Sequence, residues 1–143
     1  MGRLVRTTPV VAGRAEAIVL VSPDPLSFWG GYDAETGEIV DRRHPLSGVV
    51  AAGKVLVMPF TRGSSTGTQV LLESIRLGNA PAAIISSRTD PFLALASVVA
   101  GELYRSEIPI LAAGPGAFAA FRTGQRVEVQ PDGSVTIIDD GSS

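Results

Sequence analysis

The second half of the chain alternates between short apolar runs and helical patterns, and this alternation most constrains the fold. The apolar runs are short, rich in branched residues and bounded by turn residues, as buried strands are; they are "KVLVM" (54–58), "AAIISS" (82–87) and "IPIL" (108–111). Between them, residues 66–77 have the spacing of an amphipathic helix that ends at Gly78-Asn79. Residues 90–104 open with Asp-Pro, a favoured helix start. The order strand, helix, strand, helix, strand predicts an α/β domain.

The flanking segments add β-structure to this middle. Residues 3–22 read as two short strands with a turn or bulge at Gly13. Residues 125–139 alternate on both sides of Pro131-Asp132-Gly133, which predicts a C-terminal hairpin. We therefore expect one domain over 1–143 with a barrel-like or sandwiched sheet, two packed helices and a frayed tail from 138 to 143.

A long polar connection, residues 23–48, interrupts this pattern. It is rich in Pro, Gly and Asp, carries the only tryptophan, and has a possible small hairpin over Thr36-Gly37. Long connections inside compact domains usually have a function, so we expect one here. Within it, Trp29 could line a substrate cavity or an interface, although an aromatic side chain in a Gly-rich loop is more often a packing anchor. His44 could face a cleft or brace the loop, and its position before Pro45 favours the bracing role.

Composition excludes several classes of function. The chain has no cysteine and one histidine, so a disulfide, a thiolate metal site, a cluster held by this chain or a Ser-His-Asp triad is not expected. A net charge of -2 without basic clusters argues against nucleic acid as a ligand. No apolar run approaches a membrane span and no secretion signal is evident, which predicts a cytoplasmic protein.

The candidate chemistry lies in "TRGSST", residues 61–66, between a strand and a helix. The first N–H groups of a helix have no partner within it and attract anions, and Gly63 lets a bound group approach the backbone closely. Arg62, Ser64, Ser65 and Thr66 would then surround an anion site. A serine at this junction also caps helices for structural reasons alone, so both interpretations stay open here. Arg88, Thr89 and Asp90 follow the next strand, where ligand sites of α/β folds gather.

Three segments together resemble the swivel domain, or small subunit, of the aconitase X group of dehydratases. They are "PLSFWGGYDAETGEIVDRRHPLSG", "GKVLVMPFTRGSSTGTQVLLE" and "APAAIISSRTDPFLALASVVAGELYRSEIPIL". The resemblance covers roughly residues 10–112. It implies a swivelling β/β/α domain that closes over a large subunit holding an iron–sulfur cluster and most of the substrate-binding residues. No metal or cofactor would then be bound by this chain.

The resemblance also implies roles for the residues of the serine segment. In the wider superfamily a Gly-Ser-Ser turn supplies a serine alkoxide that removes a proton next to a carboxylate, while the cluster accepts the hydroxyl. Carried onto this chain, Ser64 is the expected proton acceptor and Ser65 its neighbour in substrate binding. The superfamily continues with arginine where this chain has Thr66, so Arg62 or a partner residue would have to meet the carboxylate.

The resemblance leaves two substrates open. Bacterial small subunits look like parts of a cis-3-hydroxy-L-proline dehydratase, and archaeal ones like parts of a mevalonate 5-phosphate dehydratase. A composition rich in Ala and Arg, with Lys54 as the single lysine, suggests a GC-rich bacterial source and favours the first. We thus expect a heterodimeric hydro-lyase that is inactive without its large subunit. An alternative of another class is a stand-alone anion-binding or regulatory swivel module; phosphoryl relay is disfavoured because no histidine follows Ser65.

Overall fold

The computed structural model describes residues 2–60, 65–88 and 91–140. Within them the chain forms one eight-stranded sheet and four helices. The strands are β1 (Arg3–Arg6), β2 (Thr8–Val11), β3 (Ala15–Val21), β4 (Val55–Met58), β5 (Ala83–Ser86), β6 (Ile110–Ala112), β7 (Arg126–Val129) and β8 (Ser134–Asp139). The helices are α1 (Phe28–Gly31), α2 (Ser65–Leu77), α3 (Pro91–Tyr104) and α4 (Pro115–Ala119).

The strand order is β1-β8-β7-β3-β4-β5-β6-β2. The four strands β3, β4, β5 and β6 are parallel, and the strands on either side of them pair antiparallel. Helices α2 and α3 connect β4 to β5 and β5 to β6, as parallel neighbours require. The parallel strands therefore all end at the same edge of the sheet, which we call the carboxyl edge.

The sheet curls until its two outer strands meet. β1 and β2 stand at opposite ends of the strand order, yet only Thr7 separates them along the chain. Thr7 is fixed to the turn of the β7–β8 hairpin, because its N–H and its Oγ1–H both donate to the carbonyl of Gly133, at 3.0 and 2.6 Å. The expectation of a barrel-like sheet with a C-terminal hairpin is confirmed.

Alternation of side chains along the strands builds two separate cores. In β4, Val55 and Val57 point into the barrel, where they meet residues of the hairpin such as Val127 and Val135. Leu56 and Met58 point the other way, toward the helices. All four residues of β4 are fully buried, and each apolar side chain removed from water contributes about 1.5–3 kcal/mol. Burial on both faces explains why β4 and β5 read as unbroken apolar runs in the sequence.

Helices α2 and α3 pack against each other over the outer core. α2 buries Leu71 and Ile75, and it ends at Gly78, whose φ of +78° is the left-handed conformation that favours glycine. In α3, the buried Ser97 hydroxyl donates to the carbonyl of Ile108 at 2.6 Å and accepts from its N–H at 2.8 Å. This pair of bonds fixes the start of the segment that becomes β6.

Most predicted elements of the middle and the C-terminus are present, with three differences. The N-terminal region contains three strands instead of two, because the first apolar run is divided at Thr7 where the sheet closes. β8 continues to Asp139, and the Asp140 carboxylate accepts a bond from Arg3 at 3.3 Å, so the chain does not fray from 138 as expected. Residues 141–143 lie outside the described part. The short helices α1 and α4 were not predicted.

The connection at 23–48 is folded onto α2 and not left open. Asp33 N–H bonds the carbonyl of Glu38, which makes the hairpin over Thr36-Gly37 that the sequence suggested. The segment around Ile39 also pairs with residues 48–51, so three short extended pieces lie side by side. Asn79 holds the hairpin to the end of α2. Its backbone carbonyl accepts a hydrogen bond from the Tyr32 hydroxyl at 2.6 Å, and its side-chain amide donates to the backbone carbonyl of Glu35 at 2.7 Å. Burial raises the pKa of Tyr32, so its hydroxyl remains a donor.

Candidate active site

The candidate site lies at the carboxyl edge, where the segments that follow three neighbouring parallel strands lie side by side. Ser22 follows β3, Pro59-Phe60 follows β4, and Ser86-Ser87-Arg88 ends and follows β5. Backbone bonds continue between the strands at this edge: Ser22 N–H to Val57 O at 2.7 Å and Ser87 N–H to Pro59 O at 2.9 Å. The residues after each strand are thus held side by side, as in ligand sites of other α/β folds.

Helix α2 begins at the same edge, at Ser65. Its first turn contains no acidic residue. The positive end of the helix dipole is therefore not neutralised by a carboxylate of its own first turn, which favours a bound anion. The backbone of Ser65 and Thr66 forms the start of the helix as predicted. Arg62, Gly63 and Ser64 lie outside the described residues, in the sequence between Phe60 and Ser65, and so do Thr89 and Asp90.

Arg88 has a defined contact at this edge. Its guanidinium carbon lies 4.9 Å from the centroid of the Phe60 ring, within the range of a cation–π interaction. The turn that carries Arg88 is fixed by the Ser86 hydroxyl, which is buried and donates to the carbonyl of Arg88 at 2.6 Å. Ser87 Oγ also donates to Pro59 O. The ends of β4 and β5 and the arginine after β5 thus form one connected unit.

His44 is held within the chain through both ring nitrogens. Its Nδ1 accepts the N–H of Leu46 at 3.0 Å, which places the ring proton on Nε2. The Nε2–H donates to Ser22 Oγ at 3.0 Å, while the Ser22 hydroxyl proton goes to the carbonyl of Asp24 at 2.5 Å. The ring is 7% exposed. In this arrangement neither nitrogen is available for proton transfer, and the ring fixes the polar connection to the end of β3.

Trp29 lies on the outer side of the same connection. Its side chain is 62% exposed, next to Gly30, whose φ is +74°. A groove of about 540 Å³ runs from Trp29 to His44 and is bordered by Asp24, Asp41 and Arg43. The structure thus brings Trp29 and His44 to one groove, beside the end of β3, and places Arg88 at the same edge of the sheet but two strands away, after β5. Sequence reasoning missed Ser22 and Phe60, although both follow apolar strands, which is the signal that identified Arg88.

Among residues 2–60, 65–88 and 91–140, no three His, Asp or Glu side chains are grouped closely enough to hold a metal ion. In the same part of the chain, no helix combines the length and the apolarity that crossing a membrane requires.

The curled sheet, the helix pair and the carboxyl-edge site define a swivelling β/β/α domain. A family model described as the aconitase X swivel domain matches residues 4–137. The chain belongs to that family.

Two groups of relatives are similar to this chain. A cis-3-hydroxy-L-proline dehydratase from Pseudomonas aeruginosa is 49% identical over 105 residues, which are 73% of this chain but 18% of that protein. The chain therefore spans less than a fifth of that relative's length. A phosphomevalonate dehydratase small subunit from Thermococcus gammatolerans is 36% identical over 135 residues, 94% of this chain and 97% of that one.

A solved structure supports the same fold. The crystal structure of Thermococcus kodakaraensis aconitase X in its holo-form contains a chain that superposes with a TM-score of 0.85 at 33% identity. The match covers 96% of this chain and 100% of that chain. The fold of this chain is therefore shared over the full length of the matched T. kodakaraensis chain.

Proposed function

We propose that the chain is the swivel subunit of an aconitase X-type dehydratase that removes water from cis-3-hydroxy-L-proline. The observation that carries this proposal is the carboxyl edge, where α2 opens at Ser65 with no acid in its first turn. The carboxylate of the substrate fits such a positive helix start. The 49% identity to the P. aeruginosa enzyme supports the choice of substrate.

Ser64 is the proton acceptor in this proposal. Dehydration breaks the C–H bond next to the carboxylate: the proton passes to Ser64, and the electron pair forms the new double bond. The hydroxyl on the adjacent carbon leaves and takes up a proton to form water, and Ser64 releases its own proton before the next turnover, so no net proton is consumed. A serine hydroxyl is far too weak an acid to be ionised in water at neutral pH. Donors that stabilise the alkoxide, such as helix N–H groups in a site closed to solvent, are needed for this role. Ser65, Gly63, Thr66 and Arg62 would bind and position the substrate around it.

A second subunit is part of the proposal. The chain contains no cysteine and the described residues contain no metal-binding cluster, so its own residues do not fit an iron–sulfur group. Any such cluster of the assembled enzyme has to be bound by a large subunit. The matched part is 18% of the P. aeruginosa relative, so the rest of that polypeptide has room for a second, cluster-binding part. Relatives named small subunits support the arrangement as two chains.

Mevalonate 5-phosphate is the second candidate substrate. The observation that favours it is the T. gammatolerans small subunit, which this chain matches over nearly the full length of both. Both candidate substrates carry a carboxylate and a hydroxyl, so the role of Ser64 would be the same.

Ser64→Ala tests the role of the serine in the complex with the large subunit. Because a positioned acid or base contributes about 10²–10⁴-fold, we expect the kcat of dehydration to fall by about that factor while the complex still assembles. Ser65→Ala should reduce turnover less, and Ser106→Ala, an exposed serine after α3 that bonds Tyr104 O, is the matched control. Steady-state kinetics and size-exclusion chromatography measure both properties. An active Ser64→Ala complex would exclude Ser64 as the base.

A further inference from the structure

The proposed substrate raises the question of which cation meets its carboxylate. Arginine recognises carboxylates through a planar fork of donors and is more effective there than a helix start alone. Among the described residues, Arg88 is the arginine that follows β5, where the Ser86 hydroxyl bonds its carbonyl. The preceding residue, Ser87, bonds Pro59 at the end of β4, the strand that leads toward the serine segment. Arg43 lies in the groove beside Asp24 and Asp41.

Within the described residues, the Arg88 side chain has an aromatic contact and no ion pair. The Phe60 ring lies 4.9 Å from its guanidinium carbon and supports one face of the group. The ion pairs within the described residues involve Arg3, Arg76 and Arg126, and none of them involves Arg88. The residue is exposed at the carboxyl edge, so its donors can turn toward a ligand while the ring keeps contact with the face.

The residues that precede Arg88 are hydrogen-bonded to both neighbouring strands. Ser86 is 1% exposed and its hydroxyl closes the turn onto the Arg88 carbonyl, while its own carbonyl accepts the N–H of Ala113 at 2.8 Å. Ser87 is bonded to Pro59. An arginine on such a support loses less freedom on binding a ligand than one on a loose loop.

From these contacts we propose that Arg88 binds the carboxylate of the substrate and so sets the preference of the site for carboxylates. This role rests on the proposed dehydratase function. Phe60 acts as a positioning residue, because it touches the guanidinium and not the substrate.

The test compares the assembled enzyme with its Arg88→Gln variant. Loss of a charge-assisted hydrogen-bond pair that forms in both the bound and the reacting state should raise KM on the order of 10- to 100-fold and change kcat little. Arg88→Lys keeps the positive charge but not the paired N–H donors of the guanidinium, so its KM should lie between those of the wild type and Arg88→Gln. Phe60→Leu should raise KM less than Arg88→Gln does. The control is Arg14→Gln, an exposed arginine before β3 at the opposite edge that bonds Gln130.

A binding measurement separates recognition from structure. L-proline and L-prolinamide, which lack the hydroxyl that leaves, serve as inhibitors that differ in the carboxylate. The wild-type complex should prefer L-proline, and Arg88→Gln should lose that preference while binding L-prolinamide as before. If the complex turns over mevalonate 5-phosphate instead, acetate and inorganic phosphate replace these two inhibitors. An Arg88→Gln variant that loses inhibition by phosphate and keeps inhibition by acetate would overturn the role of Arg88 in carboxylate binding.

The outcomes distinguish this inference from the function on which it rests. A wild-type complex that turns over neither substrate overturns the dehydratase proposal, and the role of Arg88 with it. A wild-type complex that is active, with Arg88→Gln showing the same KM and the same preference for L-proline, overturns the role of Arg88 alone. Equal weakening of both inhibitors would also overturn it, because it would indicate a structural effect.

Discussion

At the scale of single residues, His44 illustrates how contacts decide between two interpretations of one side chain. The sequence left open whether it faces a cleft or braces the loop. In the structure, one ring nitrogen of His44 is hydrogen-bonded to the Leu46 N–H and the other to the Ser22 hydroxyl. The His44 side chain also borders the groove that contains Trp29. Ser22 is 22 residues away along the chain, so no local pattern could have identified this partner.

The contacts of His44 predict a loss of stability when the ring is removed. His44→Ala leaves the part-buried Leu46 N–H without its acceptor and the fully buried Ser22 hydroxyl without its donor. An unsatisfied buried group costs about 1–3 kcal/mol, so the free energy of unfolding should fall by about that amount. Urea denaturation of the isolated chain measures it. Arg42→Ala, at the exposed neighbouring position, should change stability by less than about 0.5 kcal/mol, and an equal effect of both variants would refute the bracing role.

At the scale of elements, the sequence predicted strands and helices, which depend on neighbours in the chain, and missed contacts between residues that are far apart in the chain. The strands and helices between 54 and 112 follow from periodicity and caps, since each is defined by neighbours in the chain. Closure of the sheet depends on Thr7 meeting Gly133, 126 residues apart, and no pattern at either position signals that contact. The same reasoning holds at the site: the end of a strand identified Arg88, whereas its contact with Phe60 joins two strand ends across the sheet.

Closure of the sheet gives a prediction about one turn. Gly133 has a φ of +88°, and a Cβ there would lie 2.5 Å from the carbonyl oxygen of Thr7. Gly133→Ala should therefore strain the hairpin and separate the two sheet edges. Gly53→Ala is the matched control, because Gly53 also has a positive φ, +72°, but has open space around a Cβ.

Strained backbone at one residue costs about 1–3 kcal/mol, so both variants should lose stability, and Gly133→Ala should lose more because the clash adds to the strain. Thermal unfolding of the two variants provides the comparison. In addition, hydrogen exchange at the Thr7 amide should accelerate in Gly133→Ala and stay slow in Gly53→Ala. Equal melting temperatures and equal exchange would show that the Thr7–Gly133 contact does not close the sheet.

At the scale of the whole molecule, the chain forms a barrel-like sheet with the candidate site at its carboxyl edge, and its sequence contains no cysteine. Its fold, its family and its carboxyl-edge site agree with a domain that contributes a few groups to a larger active site. The resemblance stated from three sequence segments is confirmed by the family match over residues 4–137. The roles of Arg62, Gly63 and Ser64 stay predictions, since these residues lie outside the described part of the chain.

The central claim is that this chain is one part of a two-subunit dehydratase, and the most direct test is to measure turnover with and without the other part. The chain is purified alone and after co-expression with the product of the neighbouring large-subunit gene, and each preparation is assayed on cis-3-hydroxy-L-proline and on mevalonate 5-phosphate. We predict no turnover by the chain alone and turnover of cis-3-hydroxy-L-proline by a stable complex that contains iron. A chain that joins no iron-bearing partner, and instead binds small anions by itself, would contradict the account and support a stand-alone binding module.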